Sequence, residues 1–153
     1  MGECRMPIYN KVEVGRVAQE HGFVRDTFEK VLRLKEVLLY INEHEYLGEH
    51  LLLKGGTAIN LSVFNLPRLS IDIDMDYTPN DTREDMLKAR EKVTALIMAY
   101  MEAEGYYLLD SSRFTHSLDA FHFGYRNCGG NRDMIKIELN YSFLSKFNRK
   151  ELN

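Results

Sequence analysis

The sequence has little cysteine, no long apolar run and no strong charge of either sign. Cys4 and Cys128 are the two cysteines of 153 residues. They form neither a CxxC pair nor a repeated spacing, which argues against a disulfide framework or a cysteine zinc site. No apolar run approaches the length of a membrane span, and MGECRMPIYNK at the N-terminus lacks the apolar core of a signal peptide. Met6 stands where a myristoylation signal needs Ser or Thr. His21, His44, His50, His116 and His122 show no metal-ligand spacing such as HExxH, and no motif supports Ser/His/Asp catalysis. His116 and His122 read as strand surface or satisfied core. Internal repeats and low-complexity segments are also absent. A net charge of −3 gives no global nucleic-acid signature, so a nucleic-acid partner requires a local basic patch. What remains is an ordinary cytoplasmic composition without a membrane segment: 44% hydrophobic and 28% charged residues, enough for a core in one domain.

Hydrophobic periodicity supplies the elements. Residues 11–21 predict a short helix ending at Gly22. Asp26-Thr27 is a candidate cap for a longer helix reaching His44, because Phe28, Val31, Leu32, Leu34, Val37, Leu38, Leu39 and Ile41 recur mainly at three and four. Residues 45–50 read as a loop. A further helix is expected from Asp81 or Thr82 to Glu104, with Met86, Leu87, Ala89, Val93, Leu96, Ile97 and Tyr100 buried and Gly105 as its stop. Strands are expected at 106–109, 114–125 and 134–143, the last two joined as a hairpin by the glycine-rich turn 127–133.

The most informative stretch is 51–78. The apolar run Leu51-Leu52-Leu53 ends at Lys54 and the Gly55-Gly56 pair, and Thr57 opens a short helix that Asn65 and Pro67 break. Arg68 and Ser70 lead into Ile71-Asp72-Ile73-Asp74-Met75-Asp76. Strict alternation makes this a strand with Ile71, Ile73 and Met75 on the core face and three aspartates on the other. Ser70 shares the aspartate face. Neighbouring like charges repel and Asp is depleted in strands. A solvated edge strand tolerates such a row, but stability does not favour it. A cation is the natural counterpart, and hard Mg²⁺ takes carboxylate, phosphate and water oxygens. The glycine pair running into a helix offers free N–H groups and the positive dipole end to an anion. A phosphate cradle just ahead of a carboxylate pair is what metal-assisted nucleotidyl transfer requires. In that chemistry Gly55, Gly56 and Thr57 hold phosphates, and Ser70 bonds a phosphate or a carboxylate. Lys54 and Arg68 neutralise phosphate, or simply end a strand and pair with an acid.

Lys54-Gly55-Gly56-Thr57-Ala58, followed by Arg68-x-Ser70-x-Asp72-Ile73-Asp74, resembles the signature of the AbiEii/AbiGii-type nucleotidyltransferase toxins, of the DNA polymerase β-like nucleotidyltransferase superfamily. The likeness reaches upstream to about Val17 and downstream through the strand near Glu138. It implies an α/β (α+β) polymerase β-like fold over residues 1–153: a mixed sheet with flanking helices, N-terminal helices in 11–44, the catalytic motif in 51–78 and a third acidic strand in 134–143. The resemblance also implies a third carboxylate on a strand beside the Asp-x-Asp pair. Glu138 is the best-placed acid, although the superfamily usually has Asp there. Lys136, on the same strand face, touches phosphate or balances the acids.

The resemblance thus implies two Mg²⁺ ions on Asp72, Asp74 and Glu138, an NTP as donor, RNA (tRNA 3′ ends in particular) as acceptor, and a cognate antitoxin. Asp76 falls outside the family pattern and reads as a bystander. Family members continue into a helical C-terminal region with a functional lysine and an Arg-Asp segment, and 144–153 contains neither, so activity of the chain alone stays open. Three other readings stand beside this one. They are a non-catalytic nucleotide-binding or interaction domain on the same fold, an enzyme transferring AMP to protein Ser, Thr or Tyr, and a plain Mg²⁺ or Ca²⁺-binding domain.

Overall fold

The computed structural model describes residues 9–53 and 72–142. In chain order the elements are α1 (Lys11–Glu20), α2 (Arg25–Glu43), α3 (Glu45–His50), β1 (Leu51–Leu53), β2 (Ile73–Tyr77), α4 (Arg83–Ala103), β3 (Tyr107–Leu108), β4 (Arg113–Phe114), β5 (Leu118–Arg126) and β6 (Arg132–Asn140). The strands form one mixed sheet in the order β1-β2-β6-β5-β3, with β4 also pairing β5. β2 and β6 run parallel, and the other pairs are antiparallel. Parallel neighbours need a long crossover rather than a tight turn, and α4 lies in the connection between them.

One sheet face carries the core. Ile73, Met75 and Tyr77 of β2, Ile135, Ile137 and Leu139 of β6, and Phe121, Phe123 and Tyr125 of β5 are buried with apolar residues of α2 and α4. The burial alternation of β2 and β6 follows directly from the two-residue side-chain period.

The helices depart from the sequence expectations in three places. α2 begins at Arg25 with Val24 as its N-cap and no side-chain cap bond. Asp26 is therefore not a cap; it sits in the first turn, where a negative charge suits the helix dipole. Residues 45–50 are not a loop but α3, started by His44, whose Nδ1 accepts from the Leu47 N–H at 3.3 Å, and held by buried Leu47. On α4 the buried stripe is Met86, Ala89, Val93, Ile97 and Met101. Leu87, one position off that stripe, is 43% exposed. The Thr82 cap of α4 and its stop at Gly105 (φ 90°) follow the expectation.

The strands differ too. The segment expected as one strand over 114–125 is two, β4 and β5, separated by a turn in which Thr115 and Leu118 exchange hydrogen bonds. β6 starts at Arg132, two residues before the expected Met134, which lengthens the hairpin. β2 lies between β1 and β6 and is not an edge strand, so an exposed edge does not account for its aspartates.

Two ion pairs, one buried within α2 and one part-buried between α4 and β5, anchor the helical layer. Arg33 donates to Glu29 at 2.8 Å and to the Tyr106 hydroxyl at 3.1 Å, while the other Glu29 oxygen accepts from the Cys128 N–H at 2.7 Å. The Arg33 guanidinium also stacks over the rings of Tyr9, Tyr106 and Tyr125. Arg90 of α4 clamps Asp119 of β5 with two donors and reaches the Thr115 and His116 carbonyls.

Glu104 caps α4 at its negative dipole end. Burial, and then the nearby Glu36 charge, push its carboxyl above the ordinary glutamate range. A raised acid stabilises the fold when protonated, and that contribution is lost as pH rises through its folded pKa. Glu104→Gln is therefore expected to raise Tm at pH 7 by about 1–2 °C, the modest size reflecting solvent screening. The gain should vanish below the pKa of the unfolded glutamate, and melting curves at stepped pH measure it. A gain equal at all pH values would refute this account.

Candidate active site

The site is built on the sheet face opposite the core. Because Ile73 and Met75 point inward, Asp74 and Asp76 must point outward. On β6, burial of Ile137 and Leu139 turns Lys136, Glu138 and Asn140 to the same outer face. The parallel register then decides which of them meet: Asp74 is the direct partner of Glu138, and Asp76 of Asn140. Neighbouring strands lie about 4.8 Å apart, so two half-buried carboxylates occupy adjacent positions on an interior part of the sheet. Asp72, half-buried, comes just before β2 and two residues before Asp74. Lys136 is half-buried beside Glu138 and opposite His122 of β5.

Among the described residues no group of three or more His, Cys, Asp or Glu side chains converges on a common point. Asp72 and Asp76 each stand about 7 Å along the strand from Asp74, and like charges keep apart. The donor chemistry nonetheless fits a hard divalent cation: oxygen ligands only, with Asp74 and Glu138 side by side and Asp72 next along. The expected phosphate-binding residues Lys54, Gly55, Gly56, Thr57, Arg68 and Ser70 lie outside the described residues, as does Ile71.

Cys128 does not offer a competing nucleophile. Burial, then the hydrogen bond and charge of Glu29, push its thiol up to about 11, so the thiolate is scarce at neutral pH.

The outer face holds three residues that the sequence reading did not assign to a site. Arg113 of β4 pairs with Ala120, which pairs with Glu138, so it shares their row. His122 sits two residues further along β5 and its Nδ1 lies 2.8 Å from the Ser111 hydroxyl. Tyr107 lies over Gly124, where an added Cβ would fall 2.6 Å from the Tyr107 ring. The sequence alternation of 118–126, with Asp119, Phe121, Phe123 and Tyr125 on one side, places His122 on the outer face, whereas Tyr107 and Arg113 are placed only by the pairing of β3 and β4 with β5.

A mixed sheet flanked by helices, with an acidic outer face, defines an α+β fold of the nucleotidyltransferase type. A family model described as "Nucleotidyl transferase AbiEii toxin, Type IV TA system" matches residues 37–152. The match covers well over half of the chain, and the protein belongs to this family of nucleotidyltransferase toxins of type IV toxin–antitoxin systems, which implies a cognate antitoxin. It begins part-way along α2, later than the Val17 suggested by the motif alone. No curated protein and no solved structure matches the chain. No helix among the described residues is long and apolar enough to cross a membrane.

Proposed function

We propose that the chain transfers a nucleoside monophosphate from an NTP to a hydroxyl of RNA, with divalent metal at Asp72, Asp74 and Glu138. The observation that carries this reading is the register of β2 and β6, which sets Asp74 beside Glu138 on an interior strand where repulsion has no structural benefit. In the reaction the acceptor oxygen bonds to the α-phosphorus as the bond to the β-phosphate bridge breaks. The hydroxyl proton passes to a nearby base or to water, and the bond's electron pair leaves with pyrophosphate. Bound Mg²⁺ supplies charge stabilisation and a lowered hydroxyl pKa. The chain's own contribution is to hold the carboxylates in place: β2 and β6 fix them through their buried neighbours Ile73, Ile137 and Leu139. Lys136 balances their charge or contacts phosphate. In the motif, Gly55, Gly56 and Thr57 offer N–H groups to the triphosphate, and Lys54, Arg68 and Ser70 add phosphate contacts. The setting is the cytoplasm, where an antitoxin restrains the enzyme.

The test is incubation of the purified chain with each α-labelled NTP, Mg²⁺ and total RNA. Label is expected on RNA from a preferred NTP, with pyrophosphate released. Chelation should stop the transfer, and the Asp72→Ala/Asp74→Ala protein should lack it. Transfer that survives both aspartate replacements would reject the proposal.

A further inference from the structure

The outer sheet face carries a second feature besides its acids. Arg126 and Arg132 are direct cross-strand partners at the tip of the β5–β6 hairpin. Both are exposed, and Arg126 Nη1 donates to the Gly130 carbonyl at 3.2 Å. Like charges placed opposite each other destabilise a sheet, and neither arginine has an ion pair among the described residues. Their side chains share the face of His122 and Lys136, because all four lie at even positions of the same two strands. Arg113 continues the series in the row of Ala120 and Glu138. Cations thus run down one face from the hairpin tip to the carboxylate pair. Arg132 to Glu138 spans six residues, about 20 Å.

An aromatic flanks this track. Tyr107 is 46% exposed and lies against Gly124, the residue between His122 and Arg126 on that face. A positive track beside an exposed ring matches how proteins hold single-stranded nucleic acid, with cations on phosphates and a ring under a base. The net charge of the whole chain is −3, so the track is a local concentration and not a general property.

We infer that the β5–β6 face is a binding track for single-stranded nucleic acid, with Arg126, Arg132, Lys136 and Arg113 on phosphates and Tyr107 under a base. The inference rests on the nucleotidyl-transfer reading for the direction of the strand, its 3′ end toward Asp74 and Glu138, and not for the surface itself. His122, half-buried beside Lys136, lies where the track meets the acids.

The experiment is fluorescence anisotropy of the full chain with labelled ten-nucleotide oligouridylate and oligothymidylate over a salt series. The intact protein should bind at low salt, and affinity should fall as salt rises. Arg126→Glu/Arg132→Glu should weaken binding more than about tenfold and flatten the salt dependence, whereas Arg126→Lys/Arg132→Lys should stay within about threefold. Tyr107→Ala should lose about tenfold with the salt slope unchanged. Tighter binding of the uridylate would point to 2′-hydroxyl contacts and an RNA strand, and equal binding to the phosphodiester alone; both support the track. Three results would overturn it: no binding by the intact chain, equal binding by the charge-reversed chain, or tighter binding of polyglutamate than of either oligonucleotide at the same face. The last would assign the face to an acidic protein. Asp74→Asn protein that loses transfer but still binds the oligonucleotide would separate this surface from the chemistry beside it.

Discussion

Asp74→Asn is expected to abolish nucleotidyl transfer, by about a thousandfold or more, while leaving the fold at least as stable as before. The two halves of this result have one origin. A carboxylate that helps hold a catalytic cation contributes several kcal/mol to the transition state. The same carboxylate faces Glu138 across the β2–β6 pair, with Asp76 two residues along its own strand and Asp72 two residues back, just before the strand begins. Removing one charge from this row relieves repulsion worth a few tenths to about 1 kcal/mol. Glu138→Gln should behave in the same way. The double replacement should lose little more activity than either single one, because residues that act as a unit are not additive. Transfer assays with thermal melts on the three proteins measure both halves. Loss of activity accompanied by a clear fall in Tm would mean that the acids serve the fold, and would remove the reason for placing a cation there.

The largest effect on stability is expected elsewhere, at Glu29. Its side chain is fully buried, and its two oxygens bind Arg33 of α2 and the Cys128 N–H of the hairpin turn. Glu29→Gln leaves the Arg33 guanidinium buried without its counter-charge, a change that costs about 3–5 kcal/mol. For a chain of this size, Tm should fall by about 10 °C or more. The double variant Glu29→Gln/Arg33→Met should recover much of the loss, since an apolar pair avoids the desolvation of both ions. Denaturant melts of the two proteins decide the matter. A double variant as unstable as the single one would show that the rings of Tyr9, Tyr106 and Tyr125 depend on the guanidinium itself.

These two sites also show what a sequence discloses and what it withholds. The strand of alternating Ile and Asp was legible because a two-residue period fixes the face of each side chain before any partner is known. The same rule located Glu138 on β6. That Asp74 and Glu138 are direct neighbours was not legible from residue periodicity, since register depends on where a parallel strand comes to rest after a crossover. Glu29 and Arg33 were overlooked because charged residues on an amphipathic helix read as its solvent side. They are buried by groups from distant parts of the chain, which no local period reports. His44 as a helix cap and the division of 114–125 failed for a similar reason: each turns on local hydrogen bonds, one from Leu47 to His44 and those between Thr115 and Leu118, and not on a pattern.

The parallel pairing of β2 with β6 has a consequence in time as well as in space. The β5–β6 hairpin closes through neighbouring residues, whereas β2 must find β6 across α4 and three intervening strands. Synthesis runs from the N-terminus, so Asp74 is made well before Glu138. A growing chain that still lacks Arg132–Asn140 has β1 beside β2 but no second carboxylate to set beside Asp74, however much of its helical layer is already folded. In a toxin, the proposed reaction would then be withheld from every nascent chain until β6 has left the ribosome.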